Sequence, residues 1–287
     1  SLMAALLVFS GTQLVVLEGL GRILNGVDAE CAEVVAKQIK KDGGQIFVNA
    51  KAVGWEERGG EAVVKAEIDG KIQEFATDVI LVAVGRRPVS RGFGLEATGV
   101  KVNERGFIPV DNRQQTNVPG IFAVGDVVGQ PMLAHKASHE GEVLAEVIAG
   151  KKTINDARQI PNVVFTEPEI ASSGLTKEEA EAQGRQVNVG KFPFSALGRA
   201  MAIGETAGFV KIITDAKDDR VLGVHIVGPE ASDLISEAGL AIEMGAFAED
   251  IALTIHPHPT LSEAVMEAAK HALGEAIHIA NPRKKAH

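Results

Sequence analysis

The order of apolar and polar residues gives the first part of the chain a helix-and-strand pattern. Three apolar runs, at residues 14–17, 45–48 and 78–84, predict buried parallel strands. The amphipathic stretch Ala29–Lys41, which Asp28 caps, predicts a helix between the first two runs. Alternation of helix and parallel strand indicates an α/β domain of the Rossmann type.

Two further patterns complete this first domain. The apolar stretch from Leu2 to Val8 predicts a helical fragment ahead of the first strand. Strict alternation in residues 52–55, 62–68 and 71–75, around glycine-containing turns, predicts an antiparallel meander. The glycine-rich turn that opens a Rossmann unit is missing, so we expect the chain to begin inside such a unit.

The pattern changes after residue 88. Gly120–Asp126 predicts a short apolar strand that ends in Gly-Asp, and Met132 opens a predicted helix that reaches about Ala149. The polar residues 151–159 indicate a linker to a new unit.

Strands and helices are segregated beyond the linker, which is typical of α+β domains. The predicted strands are at residues 163–165, 186–192, 209–214 and 221–227. The predicted helices begin at a Thr176-x-x-Glu179 capping box, at Ser232 or Asp233, and at a Thr260-x-x-Glu263 capping box, and the last two end near Gly245 and Leu273. We therefore predict an incomplete Rossmann-type α/β domain (1–88), a central segment (89–158) and an α+β domain with an antiparallel sheet (159–287).

Composition and charge narrow the classes of partner. The chain has 287 residues, 45% of them hydrophobic, and a formal net charge of −9, which argues against a nucleic acid or an acidic membrane. No apolar run approaches the roughly 18 residues of a membrane span, and the residues after Ser1 lack the features of a signal peptide, so we expect a cytoplasmic protein. Cys31 is the only cysteine, and it shares a helical face with Val35 and Ile39, which favours a role in the core.

Predicted strand ends supply candidates for ligand contacts, because open α/β sheets place ligands at the carboxyl ends of their strands. Glu18 lies where a dinucleotide-binding unit holds an acid against ribose hydroxyls, and Gly85 would let a ligand approach the backbone. Asp126 could accept a hydrogen bond from a sugar-like hydroxyl. Taken alone, an acid at a strand end such as Glu18 is more often a solvated surface residue, and Gly85 would also fit an ordinary turn glycine. The segment 132–135 begins a predicted helix, so its free N–H groups could face a ligand. Alternatively, these residues simply pack the helix against the core.

The stretch His256-Pro-His-Pro-Thr-Leu-Ser-Glu263 is the richest in candidate chemistry. Two histidines lie on a proline-stiffened segment, with a carboxylate five residues after His258. A rigid imidazole oriented by a carboxylate suits a general base, whereas capping alone would also explain Glu263. The histidines and the single cysteine show no metal-ligand spacing, so no metal site is predicted.

Several motifs in a fixed order resemble those of the flavin-dependent pyridine-nucleotide disulfide oxidoreductases, in particular the branch that oxidises dihydrolipoamide. The motifs are Ile121-Phe-Ala-Val-Gly-Asp126, Pro131-Met-Leu-Ala-His-Lys136, Val163-Val-Phe-Thr-Glu-Pro-Glu169 and the two-histidine stretch. The resemblance runs from about Thr12 to Ala269. Mercuric and glutathione reductases share the architecture and remain alternatives.

The resemblance implies a role for each candidate residue. Asp126 would bind the ribityl chain of FAD, with Met132, Leu133, Ala134 and His135 packing along the flavin. Glu18, Ala52 and Gly85 would line an NAD site, and an acid at position 18 favours NAD over NADP. His258 would exchange protons with the substrate dithiol, and Glu263 would orient it. Residues 1–88 would then be the NAD domain, 89–158 the FAD-contacting segment and 159–287 the interface domain.

The implied reaction is oxidation of protein-bound dihydrolipoamide, with electrons passing through a cysteine pair and FAD to NAD. The implied partners are a second copy of the chain and the lipoyl domains of 2-oxo acid dehydrogenase or glycine cleavage complexes. One cysteine cannot form the required disulfide, and both cofactor sites are incomplete in this chain. We therefore expect a truncated form that is inactive alone, and we hold open a non-catalytic dimerisation module as the second hypothesis.

Overall fold

A computed structural model describes residues 11–282, so the helix predicted at Leu2–Val8 lies outside the described residues. The chain packs as two compact units. The larger unit comprises residues up to 80 together with those from 158 onward, and the smaller unit comprises residues 81–157. The larger unit therefore contains residues of both the first and the third predicted domain, and the domain boundaries at 88 and 158 stay predictions.

The larger unit begins with the predicted helix between two parallel strands. Strand β1 (Val15–Leu17) pairs in parallel with β2 (Gln45–Phe47), and helix α1 (Ala29–Lys41) connects them. Asp28 caps α1 as predicted. Cys31 is fully buried in the core beneath this helix, which confirms its role as a core residue. This βαβ arrangement confirms the Rossmann-type prediction.

The antiparallel meander is also confirmed. Its strands are β3 (Lys51–Arg58), β4 (Glu61–Ile68) and β5 (Lys71–Thr77), with β4 in the centre. The strand predicted at residues 78–84 is wrong, because this run forms no strand and Val79, Val82 and Val84 are exposed. A buried parallel strand needs neighbours to pair with and helices over both faces, and neither sheet in this part of the described chain takes up the run.

The smaller unit has little regular structure apart from one helix. Helix α2 (Ala134–Ile148) confirms the helix predicted after Pro131. The strand predicted at Gly120–Asp126 is wrong: Phe122 forms an isolated bridge with Gln115, and Gly125–Val128 is a 3₁₀ turn. Gly120 and Gly125 have φ of +82° and +83°, and backbone in this left-handed region interrupts an extended strand.

A five-stranded antiparallel sheet dominates the rest of the larger unit, as predicted for an α+β domain. Its order is β6-β7-β10-β9-β8. The strands are β6 (Asn162–Val164), β7 (Glu169–Gly174), β8 (Val187–Pro193), β9 (Phe209–Asp215) and β10 (Val221–Gly228). Sequence patterns missed β7 because it carries the buried polar residues Ser172 and Ser173 in place of an apolar run.

Helices cover this sheet and close the core. They are α3 (Lys177–Ala182), α4 (Gly198–Ile203), α5 (Ala231–Met244), α6 (Ala248–Leu253) and α7 (Glu263–Leu273), of which α4 and α6 were not predicted. Helix α5 packs on β7 and β10, and α7 packs on β8 and β9. Within residues 11–282, no helix combines the length and apolar character needed to cross a bilayer.

Two of the four predicted helix caps, those of α3 and α5, have opposite outcomes. The Thr176–Glu179 capping box is confirmed in both halves. The cap predicted at Ser232 or Asp233 is wrong, because α5 already begins at Ala231 after Glu230, whose φ is +53°. The N–H of Ser232 donates instead to Oε2 of Glu169 at 2.9 Å. A carboxylate distant in sequence therefore satisfies the helix start, which local sequence could not reveal.

Candidate active site

His258 lies in the loop between α6 and α7, where its side chain faces solvent and one ring nitrogen is held by a carboxylate. The side chain is 76% exposed, and its Nδ1 lies 2.9 Å from Oε1 of Glu263, the first residue of α7. The other ring nitrogen, Nε2, has no hydrogen-bond partner among residues 11–282. His258 therefore offers one ring nitrogen to a ligand while the other is held.

Glu263 is the group that holds this ring. Its side chain is only 14% exposed, and Oε2 accepts from the N–H of Thr260 at 2.8 Å. Burial raises the pKa of Glu263, but the Thr260 N–H and the His258 ring outweigh burial, and the net pKa is lowered. An ionised carboxylate can only accept, so Nδ1 of His258 carries the proton and Nε2 carries the lone pair. This tautomer is the one that a general base needs.

His256 has a different environment, although it lies two residues away. Its side chain is 5% exposed, Nε2 is 2.8 Å from Oε1 of Glu237 on α5, and Nδ1 is 2.9 Å from the carbonyl oxygen of Thr254. Both ring nitrogens are occupied, so His256 cannot accept a proton from a ligand without breaking a contact. The structure thus separates the two histidines, with His256 tying the loop to α5 and His258 facing outward.

The capping box predicted at Thr260–Glu263 is only half formed. The Glu263 carboxylate accepts from the Thr260 N–H, but the Thr260 hydroxyl donates to the carbonyl oxygen of Pro257 at 2.7 Å. The residue before α7 is Ser262, which makes no side-chain cap. The second half of the prediction is therefore wrong, and the threonine instead braces the proline segment that carries His258.

A second histidine and carboxylate pair, which the sequence patterns did not predict, joins α7 to the segment that follows it. Glu267 lies one turn after Glu263 and is buried, and its Oε1 is 3.2 Å from Nδ1 of His278. Its Oε2 accepts from the N–H groups of Ile277 and His278. No local sequence pattern indicated this pair, because His278 lies eleven residues after Glu267 and beyond the end of α7. The pair anchors the segment after α7 beside the Glu263 pair.

Asp126 lies in the smaller unit, on the 3₁₀ turn Gly125–Val128 and not at a strand end. Its Oδ2 is 3.7 Å from the guanidinium of Arg86; the Arg86 side chain is largely exposed and that of Asp126 is about half exposed. These two residues border a cavity of about 470 Å³, which Met132 also lines. A carboxylate, a cation and an apolar side chain around an open cavity suit a ligand that combines hydroxyls, anionic groups and a ring system.

The start of α2 adds backbone donors near this turn. Leu133 precedes the helix without a side-chain cap, so the first amides of α2 are not bonded by a capping side chain. Met132 and Leu133 are half-buried, and Ala134 and His135 are exposed. The structure thus brings Met132 together with Asp126 at the edge of the same cavity, and a flavin site at these residues stays a prediction.

The three residues predicted to line an NAD site are distributed over both units. Glu18 follows β1, and its Oε1 accepts from the N–H of Leu20 at 2.8 Å. Ala52 is exposed in β3 and pairs with Ala66 of β4. Gly85 lies in the smaller unit with φ of +120°, and it follows no strand because residues 78–84 form none. A role of Glu18 toward ribose hydroxyls stays a prediction.

Comparison with known proteins decides the family. Residues 2–141 match the profile described as pyridine nucleotide-disulphide oxidoreductase, and residues 160–269 match the dimerisation domain of the same family. The chain belongs to the pyridine nucleotide-disulphide oxidoreductases. Family membership implies FAD and NAD as cofactors, and it confirms the predicted resemblance and the mixed α/β and α+β fold class.

Relatives in this oxidoreductase family include two bacterial dihydrolipoyl dehydrogenases. The protein of Thermus scotoductus is 50% identical over 273 residues, which are 94% of this chain and 59% of the relative. The protein of Geobacillus stearothermophilus is 49% identical over 269 residues, which are 94% of this chain and 57% of the relative. The chain therefore spans less than two thirds of the length of these relatives.

Solved structures of the same family have the same fold. LpdA of Mycobacterium tuberculosis superposes with a TM-score of 0.85 at 28% identity, over 93% of this chain and 58% of its own. The HOCl-induced flavoprotein disulfide reductase RclA of Escherichia coli also has a TM-score of 0.85, at 27% identity over 92% of this chain and 60% of its own.

Proposed function

We propose that this chain is the part of a dihydrolipoyl dehydrogenase that carries the acid–base group and the dimerisation domain. The observation that supports this most is the His258–Glu263 pair, in which an exposed ring nitrogen with a lone pair faces solvent and the other is held by a carboxylate. The full reaction would be the oxidation of protein-bound dihydrolipoamide, with NAD as the final acceptor.

The geometry of His258 suits deprotonation of a dithiol. Nε2 would accept the proton of one substrate thiol, and Glu263 would stabilise the resulting imidazolium through Nδ1. The thiolate formed is the species that attacks a disulfide, since a thiol is a poor nucleophile. In that exchange the substrate dithiol becomes a disulfide and the attacked disulfide is reduced. FAD, when bound, would take up the electron pair and pass it to NAD.

The remaining candidate residues would hold the two cofactors. Asp126 would accept hydrogen bonds from the ribityl hydroxyls of FAD, and residues 132–135 would pack along its ring and ribityl region. Glu18 would accept from the ribose hydroxyls of NAD, while Ala52 and Gly85 would leave room for it. Arg86, which was not among the predicted site residues, is available for an anionic group at the cavity beside Asp126.

The redox disulfide would come from a cysteine pair outside these 287 residues. Cys31 is the only cysteine in the sequence and is fully buried, so it cannot serve. We further propose that His258 completes a site on the other subunit of a homodimer. Exposed apolar side chains support a dimer: Leu240, Met244, Leu253 and Ile255 lie on α5, on α6 and in the following loop. Lipoyl domains would be the partners, in the cytoplasm.

A chimera tests the catalytic proposal. The part of the Geobacillus stearothermophilus relative that precedes its match to this chain would be joined ahead of Thr12. We expect the chimera to bind FAD and to oxidise dihydrolipoamide with NAD, and His258→Gln to reduce turnover about 10²- to 10⁴-fold. The matched control is His139→Gln, an exposed histidine of α2, which should retain full turnover. Equal turnover in both variants would remove His258 from the mechanism.

The same experiment addresses the alternatives. A dimeric chimera that binds FAD but turns over no dithiol would favour the non-catalytic dimerisation module. Preference for glutathione disulfide or mercuric ion as substrate would favour those branches of the family. For the 287-residue chain by itself we expect weak or no FAD binding and no dithiol oxidation, and stoichiometric flavin absorbance after purification would contradict that expectation.

A further inference from the structure

A buried ion pair lies directly behind the turn that carries Asp126. Lys136 and Glu140 are both on α2, one turn apart, and both side chains are buried. Nζ of Lys136 is 3.0 Å from Oε1 of Glu140. Burial of charge is costly even when the charges are paired, and apolar replacements are often as stable. The stability of the fold alone therefore does not explain why two charged side chains are buried here.

The hydrogen bonds of the pair all go to one short loop. Nζ of Lys136 also donates to the carbonyl oxygens of Gly125 and Gly129, at 3.1 and 3.2 Å. Oε2 of Glu140 accepts from the N–H of Gly125 at 2.7 Å. All three donors of the ammonium and both carboxylate oxygens are thus in use. Both backbone groups of Gly125, the residue before Asp126, are held.

The conformation of that loop needs such support. Gly125 has φ of +83°, and a Cβ at this position would lie 3.4 Å from Cβ of Ala137 on the same helix. The 3₁₀ turn Gly125–Val128 has no side-chain cap of its own. Lys136 and Glu140 therefore bond to the backbone at the two ends of the turn, at Gly125 and Gly129, while the side chain of Asp126 lies near Arg86 and borders the cavity.

We infer that Lys136 and Glu140 are positioning residues that hold the Asp126 turn in the geometry needed for binding the polyol chain of a flavin nucleotide. This inference rests on the proposed role of Asp126. The pair does not touch the ligand; it acts by holding the backbone on either side of the carboxylate. The buried pair thus fixes the position of the Asp126 carboxylate. A fully hydrogen-bonded buried network is better suited to this than an apolar contact.

The test separates positioning from stability. The double variant Lys136→Met/Glu140→Leu removes both charges together, so neither charge is left buried alone, and it keeps apolar volume. Because the backbone groups of Gly125 and Gly129 lose their partners, we expect a folded variant with a lowered thermal unfolding midpoint. Hydrogen exchange of the Gly125 amide, measured in the full 287-residue chain, should accelerate because its acceptor is gone. In the chimera, the dissociation constant for FAD should rise about tenfold or more.

The control is Glu146→Gln, which removes a carboxylate of the same helix whose partner Lys151 is exposed. It should leave both Gly125 exchange and FAD affinity unchanged. Should the double variant not fold, Glu140→Gln decides, with FAD affinity expected to fall relative to Glu146→Gln. Unchanged exchange, or unchanged FAD affinity in a folded variant, would overturn the inference. If the unmodified chimera binds no FAD, the proposed role of Asp126 in FAD binding is wrong. An error in the proposed role of His258 would instead appear only in the turnover of the dithiol.

Discussion

Replacing Asp28 by asparagine separates two roles of one carboxylate at the start of α1. Oδ1 accepts from the N–H groups of Glu30 and Cys31, at 3.0 and 3.3 Å, and so caps the helix. Oδ2 lies 2.7 Å from Nζ of Lys211 on β9, and both side chains are buried. Asparagine caps helices about as well as aspartate, so Asp28→Asn retains the cap and removes one charge of the buried pair.

The size of the effect follows from which charges remain. Removing one partner of a buried ion pair costs about 3–5 kcal/mol, because the other charge is left uncompensated. After Asp28→Asn, Lys211 still has Glu30 at 2.9 Å, a side chain that is 48% exposed, so we expect a loss of about 2–3 kcal/mol. Lys211→Met leaves Asp28 buried without its cation, and we expect about 3–5 kcal/mol.

The pH dependence of this pair has a defined sign. Burial raises the pKa of Asp28, but Lys211 and the helix N–H groups outweigh it and lower the net pKa below 3.8. Its contribution to stability is therefore present above 3.8 and is lost as the pH falls through the lower folded value. Burial opposes the charge of Lys211, but Asp28 and Glu30 raise its pKa above 10.5, so that contribution is lost only as the pH rises through the higher folded value.

Urea denaturation followed by far-UV circular dichroism measures these differences. The stability difference between the unmodified chain and Asp28→Asn should be constant between about pH 5 and pH 10. The control is Glu33→Gln, which breaks the exposed pair between Glu33 and Lys37 on the same helix and should cost at most about 0.5 kcal/mol. A loss for Asp28→Asn no larger than the loss for Glu33→Gln would refute the reasoning.

Three further predictions concern the larger unit. Gly190→Ala should destabilise the chain by about 1–3 kcal/mol in urea denaturation, because a Cβ on β8 would lie 2.0 Å from the carbonyl oxygen of Ala268 on α7; a neutral result would show that the helix can move away. Burial lowers the pKa of His225 below 6.5, so the unfolded state binds the extra proton and stability should fall as the pH drops below 6.5, a slope that His225→Gln should abolish. Burial and Asp28 raise the pKa of Cys31, so its labelling by a thiol reagent should be far slower in the folded chain than in urea, and equal rates would contradict the burial.

Local patterns in the sequence were sufficient wherever the physical cause is local. The cap at Asp28, the turns at Gly59-Gly60 and Asp69-Gly70, and the Thr176–Glu179 box act through neighbouring residues, and the helices and strands that they bound are present. The sequence also contained both histidines, the carboxylate at Glu263 and the motif around Asp126. Local residue chemistry could not distinguish His256 from His258, since both lie in the same proline-rich stretch, and only the family resemblance selected His258.

Tertiary structure decided what depends on distant partners. The run at 78–84 has the composition of a strand but lacks neighbours to pair with, and α5 begins where Glu169 supplies an acceptor. His256 is excluded as a base because Glu237, nineteen residues earlier, occupies its ring. Hydrophobic patterning and helix capping act over a few residues, so the local sequence is enough to predict them. Strand pairing, the burial of charged side chains and the availability of a histidine ring nitrogen depend on distant segments that meet only in the folded chain.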